Sequence, residues 1–227
     1  MDLFLCGAHP DDIEFGMGAS LIKFLKEGRS AVLCILTRGG SGSYGSPEIR
    51  EKEMRRSAEL MGTCLEILDL TDCNVFDTFE NRCAMASLIR KYQPKVIFAP
   101  YPWNYGPPGD GSAHPDHTAA GILARNAARY ARFRNLPCKG GPWQINRMFY
   151  YMLPRSMTPD FILDVTDFMP EWEKTASCHQ SQLELRGGQV IEYLKRIRSS
   201  YGLLCGAEYA EGFAVDEPAP LNIADFL

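Results

Sequence analysis

The sequence predicts an α/β fold with a mostly parallel sheet and helices on both faces. Two observations predict it. Short apolar runs alternate with longer amphipathic segments through the N-terminal half, and irregular Gly- and Pro-rich loops follow two of those runs. Leu3–Cys6 reads as the first strand. Gly16–Lys26 carries apolar residues at helical spacing and stops at Gly28. Ala31–Leu36 is a second, buried strand, and Glu48–Met61 is a charged amphipathic helix closing at Gly62. Cys64–Leu68 makes a third strand, Phe79–Tyr92 a helix stopped ahead of Pro94, and Val96–Ala99 a fourth strand. Further on, Met148–Leu153 and Phe161–Val165 read as strands and Gly188–Leu204 as a helix ending near Gly206. Together these make one Rossmann-like domain over 1–227, with its active site at the carboxyl ends of the strands. The two irregular segments, Thr37–Pro47 and Tyr101–Ala113, therefore read as active-site loops rather than linkers.

Composition narrows the partners. With 24 basic against 28 acidic residues and no long Lys/Arg cluster, nucleic acid and anionic membrane surfaces are excluded. No apolar run approaches the ~20 residues of a membrane span, and Leu3–Gly7 is too short for a secretory leader, so a cytoplasmic location is expected. The eight cysteines form no CxxC pair, which argues for reduced, largely buried thiols and against a thiolate zinc site.

Of four histidines, three lie in two similar tetrapeptides, His9-Pro10-Asp11-Asp12 and His114-Pro115-Asp116-His117. Each offers metal-binding groups at its first and last positions. A single His beside Asp is most often a surface pair or a helix cap. Two such motifs, each after a predicted parallel strand, instead point to a joint metal site. His9 with Asp12 and either His114 or His117 would give two imidazoles and one carboxylate, a donor set that leaves zinc an open position. The same set also suits ferrous iron. Asp11, next to Asp12, is placed to take a proton from metal-activated water or else to orient a ligand from behind.

These residues resemble the PIG-L/LmbE-like family of zinc N-deacetylases. The resemblance runs along nearly the whole chain, through Gly16-Met17-Gly18, Thr37-Arg38-Gly39, Pro47-Glu48-Ile49-Arg50 and the tail Gly206-Ala207-Glu208-Tyr209-Ala210-Glu211-Gly212-Phe213. The last two stretches look closest to the bacillithiol-pathway branch, which deacetylates N-acetylglucosaminyl malate. The resemblance implies Zn2+ held by His9, Asp12 and His117, with Asp11 as general base. It implies His114 beside the open metal position, Asp116 orienting His114, Arg50 on the substrate, and Tyr209 reaching the carbonyl oxygen. A small amino-sugar substrate and a trimeric or hexameric assembly follow in the same way. One departure stands out, since Gly40 occupies a place where relatives commonly carry Glu.

Other readings keep parts of this picture. The same chemistry could act on another amino-sugar or thiol conjugate. A non-catalytic zinc- or sugar-binding module would have no use for a free Asp11, and an iron oxygenase is disfavoured by the βαβ pattern. Arg50 is otherwise an ordinary helix-face charge, Trp103 and Tyr105 are more apt to pack under their own loop than on a sugar, and His179 reads as structural. The Gly-rich Thr37–Ser46 stretch lacks the GK[ST] ending of a phosphate-binding loop.

Overall fold

The computed structural model describes residues 1–107 and 110–217. Pro108 and Gly109 of the predicted Tyr101–Ala113 loop, and the last ten residues of the predicted domain, lie outside the described residues.

Seven strands form one sheet in the order β3-β2-β1-β4-β5-β7-β6. The strands are β1 (Leu3–Gly7), β2 (Ala31–Thr37), β3 (Cys64–Leu70), β4 (Val96–Pro100), β5 (Arg147–Tyr151), β6 (Phe161–Asp164) and β7 (Ala210–Val215). The first five pair in parallel, and β7 runs antiparallel between β5 and β6. Alternation along β1 and β2 divides the core. Phe4, Cys6, Val32 and Cys34 point to one face, against α3 (Phe79–Tyr92) and α4 (Pro115–Ala131). Leu3, Leu5, Leu33 and Ile35 point to the other, against α1 (Asp12–Lys26) and α2 (Pro47–Met61). The latter face is extended by α5 (Met169–Ala176), the short α6 (Gln180–Leu183) and α7 (Leu185–Gly188), and α8 (Val190–Cys205). No helix among the described residues is long and apolar enough to cross a membrane.

The predicted elements are present, most within one to three residues at each end. α1 starts at Asp12 rather than Gly16, and it is broken at Met17, where φ is −150°. Five elements escaped the pattern: α4, α5, the short α6 and α7, and β7. The buried stripe of α4 is nearly all alanine, Ala120, Ala124, Ala127, Ala128 and Ala131 around Leu123, which gives little hydrophobic contrast to read. α5 is only eight residues long, and β7 lay hidden in the tail motif. The cysteines are free: five are buried, and Cys64, Cys73 and Cys205 are exposed.

Candidate metal centre

Parallel pairing brings the carboxyl ends of β1 to β4 to one edge, and the two HPD motifs meet there. His9, Asp11 and Asp12 follow β1. Asp72 follows β3. His114, Asp116 and His117 open α4, where Pro115 takes the first helical position. All but Asp116 line the floor of a cleft of about 980 Å3 that continues along α8.

Three donor atoms converge. His117 Nε2 lies 3.0 Å from Asp12 Oδ1 and 3.2 Å from His9 Nδ1, and His9 Nδ1 lies 3.6 Å from Asp12 Oδ1. A tetrahedral ion with ligands at about 2.0–2.1 Å separates its donors by about 3.3–3.4 Å, so this triangle fits one. The other oxygen of Asp12 accepts the backbone N–H groups of Ala8 (2.7 Å) and His9 (2.9 Å), which fixes the carboxylate. Each imidazole is held by its far nitrogen. His117 Nδ1 lies 3.3 Å from the Ser112 carbonyl, and His9 Nε2 lies 3.2 Å from Asp72 Oδ1 and 3.4 Å from Asp116 Oδ2. N–H donation at those positions turns the free lone pairs inward, toward one point.

Electrostatics agree. Burial opposes a proton on His9, but Asp12, Asp116 and Asp72 outweigh it and hold the imidazole's pKa up at about 12. Burial would raise the carboxyl pKa of Asp12, yet His117 and His9 hold it well below the usual range. So many carboxylates around one imidazole demand a positive charge at this spot, which a divalent cation supplies as well as a proton.

His114 stands at the edge of the triad, with a ring donor atom within 4.8 Å of those of His9 and His117. Burial, and then His9 and His117, push its pKa down. Its Nδ1 accepts the Asp116 backbone N–H at 3.2 Å, so the neutral ring carries its proton on Nε2. Here the structure differs from expectation. The Asp116 carboxylate does not bond to His114: it accepts the backbone N–H groups of Cys73 (2.8 Å) and Val75 (3.3 Å) and faces His9. The helix start explains this, because the first turn of α4 directs Asp116 inward, across the end of β3, while its amide caps onto His114.

Arg50 is buried, and it engages Asp11 rather than solvent. Its Nη2 donates to Asp11 Oδ1 at 3.0 Å and its Nη1 to the Gly39 carbonyl at 2.8 Å. Gly39 has φ of +65°, and a Cβ there would sit 2.1 Å from Arg50 Nη1, so glycine leaves the guanidinium its passage. Arg50 still lines the cleft. Tyr209 does not. It precedes β7 and packs, partly buried, against the cluster of Ala19, Ile22 and Trp172. Trp103 packs on Tyr101 and Tyr150, and Tyr105 is exposed; neither lines the cleft. His179 is fully buried, 3.3 Å from Glu14 Oε1. Asp72 was missed by sequence reasoning. The available signal was its place directly after a parallel strand.

Away from the metal end, the cleft changes character. Leu185, Val190, Leu194 and Ile197 form an apolar wall, and Arg155, Arg186 and Arg196 stand along it. Arg155 pairs with Asp110, whereas Arg186 and Arg196 face no acidic partner among the described residues.

The chain is similar to known proteins along most of its length. Residues 4–128 match the family model PIG-L, described as GlcNAc-PI de-N-acetylase. The chain is 31% identical over 232 residues to diacetylchitobiose deacetylase of Thermococcus kodakarensis, covering 96% of this chain and 84% of that one. It superposes on a conserved protein of Thermus thermophilus with a TM-score of 0.86 at 34% identity, covering 98% of this chain and 97% of that one. It superposes on N,N'-diacetylchitobiose deacetylase of Pyrococcus horikoshii with a TM-score of 0.82 at 26% identity, covering 100% of this chain and 88% of that one.

Proposed function

This chain belongs to the PIG-L de-N-acetylase family, and from that premise we propose that it is a zinc-dependent amide hydrolase that deacetylates a small N-acetylglucosamine conjugate. The observation that carries the reading is the convergence of His9 Nδ1, Asp12 Oδ1 and His117 Nε2 beside Asp11 on the floor of an open cleft.

A divalent metal at those three atoms supplies Lewis acidity, which lowers the pKa of water and polarises the acetyl carbonyl. The remaining work falls to the side chains. Asp11, steadied by Arg50, takes the proton from the attacking water and later delivers it to the departing amine. His114, neutral and protonated on Nε2, donates to the carbonyl oxygen as charge develops there; one such donor is typically worth ~3 kcal/mol of barrier. Asp116 and Asp72 act behind His9 and keep its lone pair on the metal.

The far end of the cleft supports an acidic aglycone. Arg186 and Arg196 offer unopposed guanidinium groups for a carboxylate or phosphate, as in N-acetylglucosaminyl malate. The test is amine release by the purified protein from N-acetylglucosaminyl malate and from diacetylchitobiose, with chelator and with zinc restored. Zinc-restored release of the acidic conjugate in preference to the neutral one is the expected result. Release from the neutral sugar alone would overturn the substrate, and release that survives complete metal removal would overturn the chemistry.

A further inference from the structure

Two stretches that mark the family resemblance, Gly16-Met17-Gly18 and the tail around Glu211, have no part in the chemistry above. They meet in space. α1 is interrupted at Met17, so its first turn, which carries Asp12, is set off from the long remainder of the helix. In an unbroken helix the Phe15 carbonyl and the Ala19 N–H would be partners. Here a buried ion pair stands between them. Glu211, from β7, accepts the Ala19 N–H at 3.3 Å and the Ser20 N–H at 2.7 Å. Arg198, from α8, donates from Nη2 to the Phe15 carbonyl at 3.1 Å and lies 3.4 Å from that of Glu14. The two side chains join through Arg198 Nε and Glu211 Oε1 at 2.8 Å, and each is only 2% exposed.

From the far side, Trp172 Nε1 donates to the Glu14 carbonyl at 2.7 Å, and the Arg198 guanidinium lies over the Trp172 ring at 4.1 Å. The first turn of α1 is thus held by side chains of α5 and α8, and Glu211 of β7 ties Arg198 to the helix that follows.

We propose that Arg198 and Glu211 are positioning residues for the metal centre: the pair is inserted into the broken α1 ladder and sets the attitude of the turn that presents Asp11 and Asp12. The proposal rests on the metal-site reading given above. A buried pair can equally serve stability alone, and such pairs are often replaced by apolar residues without loss of stability. That fact supplies the test. The double variant Arg198→Met/Glu211→Leu removes both charges together, and Glu211→Asp keeps the charge while withdrawing it from the Ala19 and Ser20 amides.

Zinc affinity of the metal-free proteins is measured by competition with a chromogenic chelator, alongside thermal melts and steady-state kinetics. Positioning groups behind a metal site are typically worth about 10–100-fold in affinity or activity. The expected result is a folded protein whose zinc affinity falls by about tenfold or more and whose kcat falls with it, while KM stays within about twofold. A KM rise at constant kcat would instead make the pair a substrate contact, and wild-type zinc affinity and kcat in a folded variant would make it structural. Either overturns the proposal. Should the double variant not fold, Glu211→Asp decides. If the unaltered protein binds no zinc, the metal-site reading itself fails, which these arms keep distinct.

Discussion

Asp72→Asn tests the outer support of the metal centre. Asp72 accepts from three directions: His9 Nε2 at 3.2 Å and the Cys73 N–H at 3.0 Å on Oδ1, and the Ser41 N–H at 2.7 Å on Oδ2. An asparagine has one acceptor oxygen and one amide nitrogen, so it must turn a donor toward either Ser41 or His9. If it faces His9, the imidazole is pushed toward the tautomer whose lone pair points away from the metal. If it faces Ser41, the loop over the cleft loses its tether. One acceptor survives, because Asp116 Oδ2 remains 3.4 Å from His9 Nε2. The loss should therefore fall at the lower end of the usual range, about tenfold in zinc affinity or roughly 1.4 kcal/mol. Removing Asp116 as well should cost distinctly more than either alone. Zinc competition titrations of the single and double variants give these numbers directly. A single variant within about twofold of the native affinity would refute the tautomer argument.

Other expectations concern different parts of the molecule. Asp11→Asn keeps an acceptor for Arg50 and should lower kcat by about 10^2–10^4 with zinc still bound; near-normal turnover would remove Asp11 from the base role. Gly16→Ala would place a Cβ 2.4 Å from Cδ2 of Tyr151, whose ring is fully buried with its hydroxyl on the Cys6 carbonyl, so stability should drop by about 1–3 kcal/mol and an unshifted Tm would count against this packing. For His179, burial works against protonation, but Glu14 outweighs it and the pKa is raised above 6.5. The stabilisation is therefore fully present below that ordinary value and is lost as pH climbs through the raised one. The Tm difference between the native protein and His179→Asn should be widest in mild acid and narrow as pH rises, and a gap that does not change with pH would exclude the pairing.

Much of the fold was readable from local pattern because strands and amphipathic helices bury chemically distinct faces. AVLCIL in β2, for instance, has only one use in a layered α/β domain. α4 was not readable, since a stripe of alanines carries shape but little hydropathy. Membership in the family was likewise legible, because two HPD motifs with potential ligating groups three residues apart have few bland uses together.

What the chain alone could not tell was which atom faces which. Asp72 and Asp116 act on His9, Arg50 grips Asp11, Tyr209 turns away, and Glu211 reaches back to α1 across more than 190 residues. A motif specifies residue types. Tautomers, ion pairs and the aim of a carboxylate are set by neighbours that come from distant parts of the chain, and those neighbours are in place only once the sheet has brought its strand ends together.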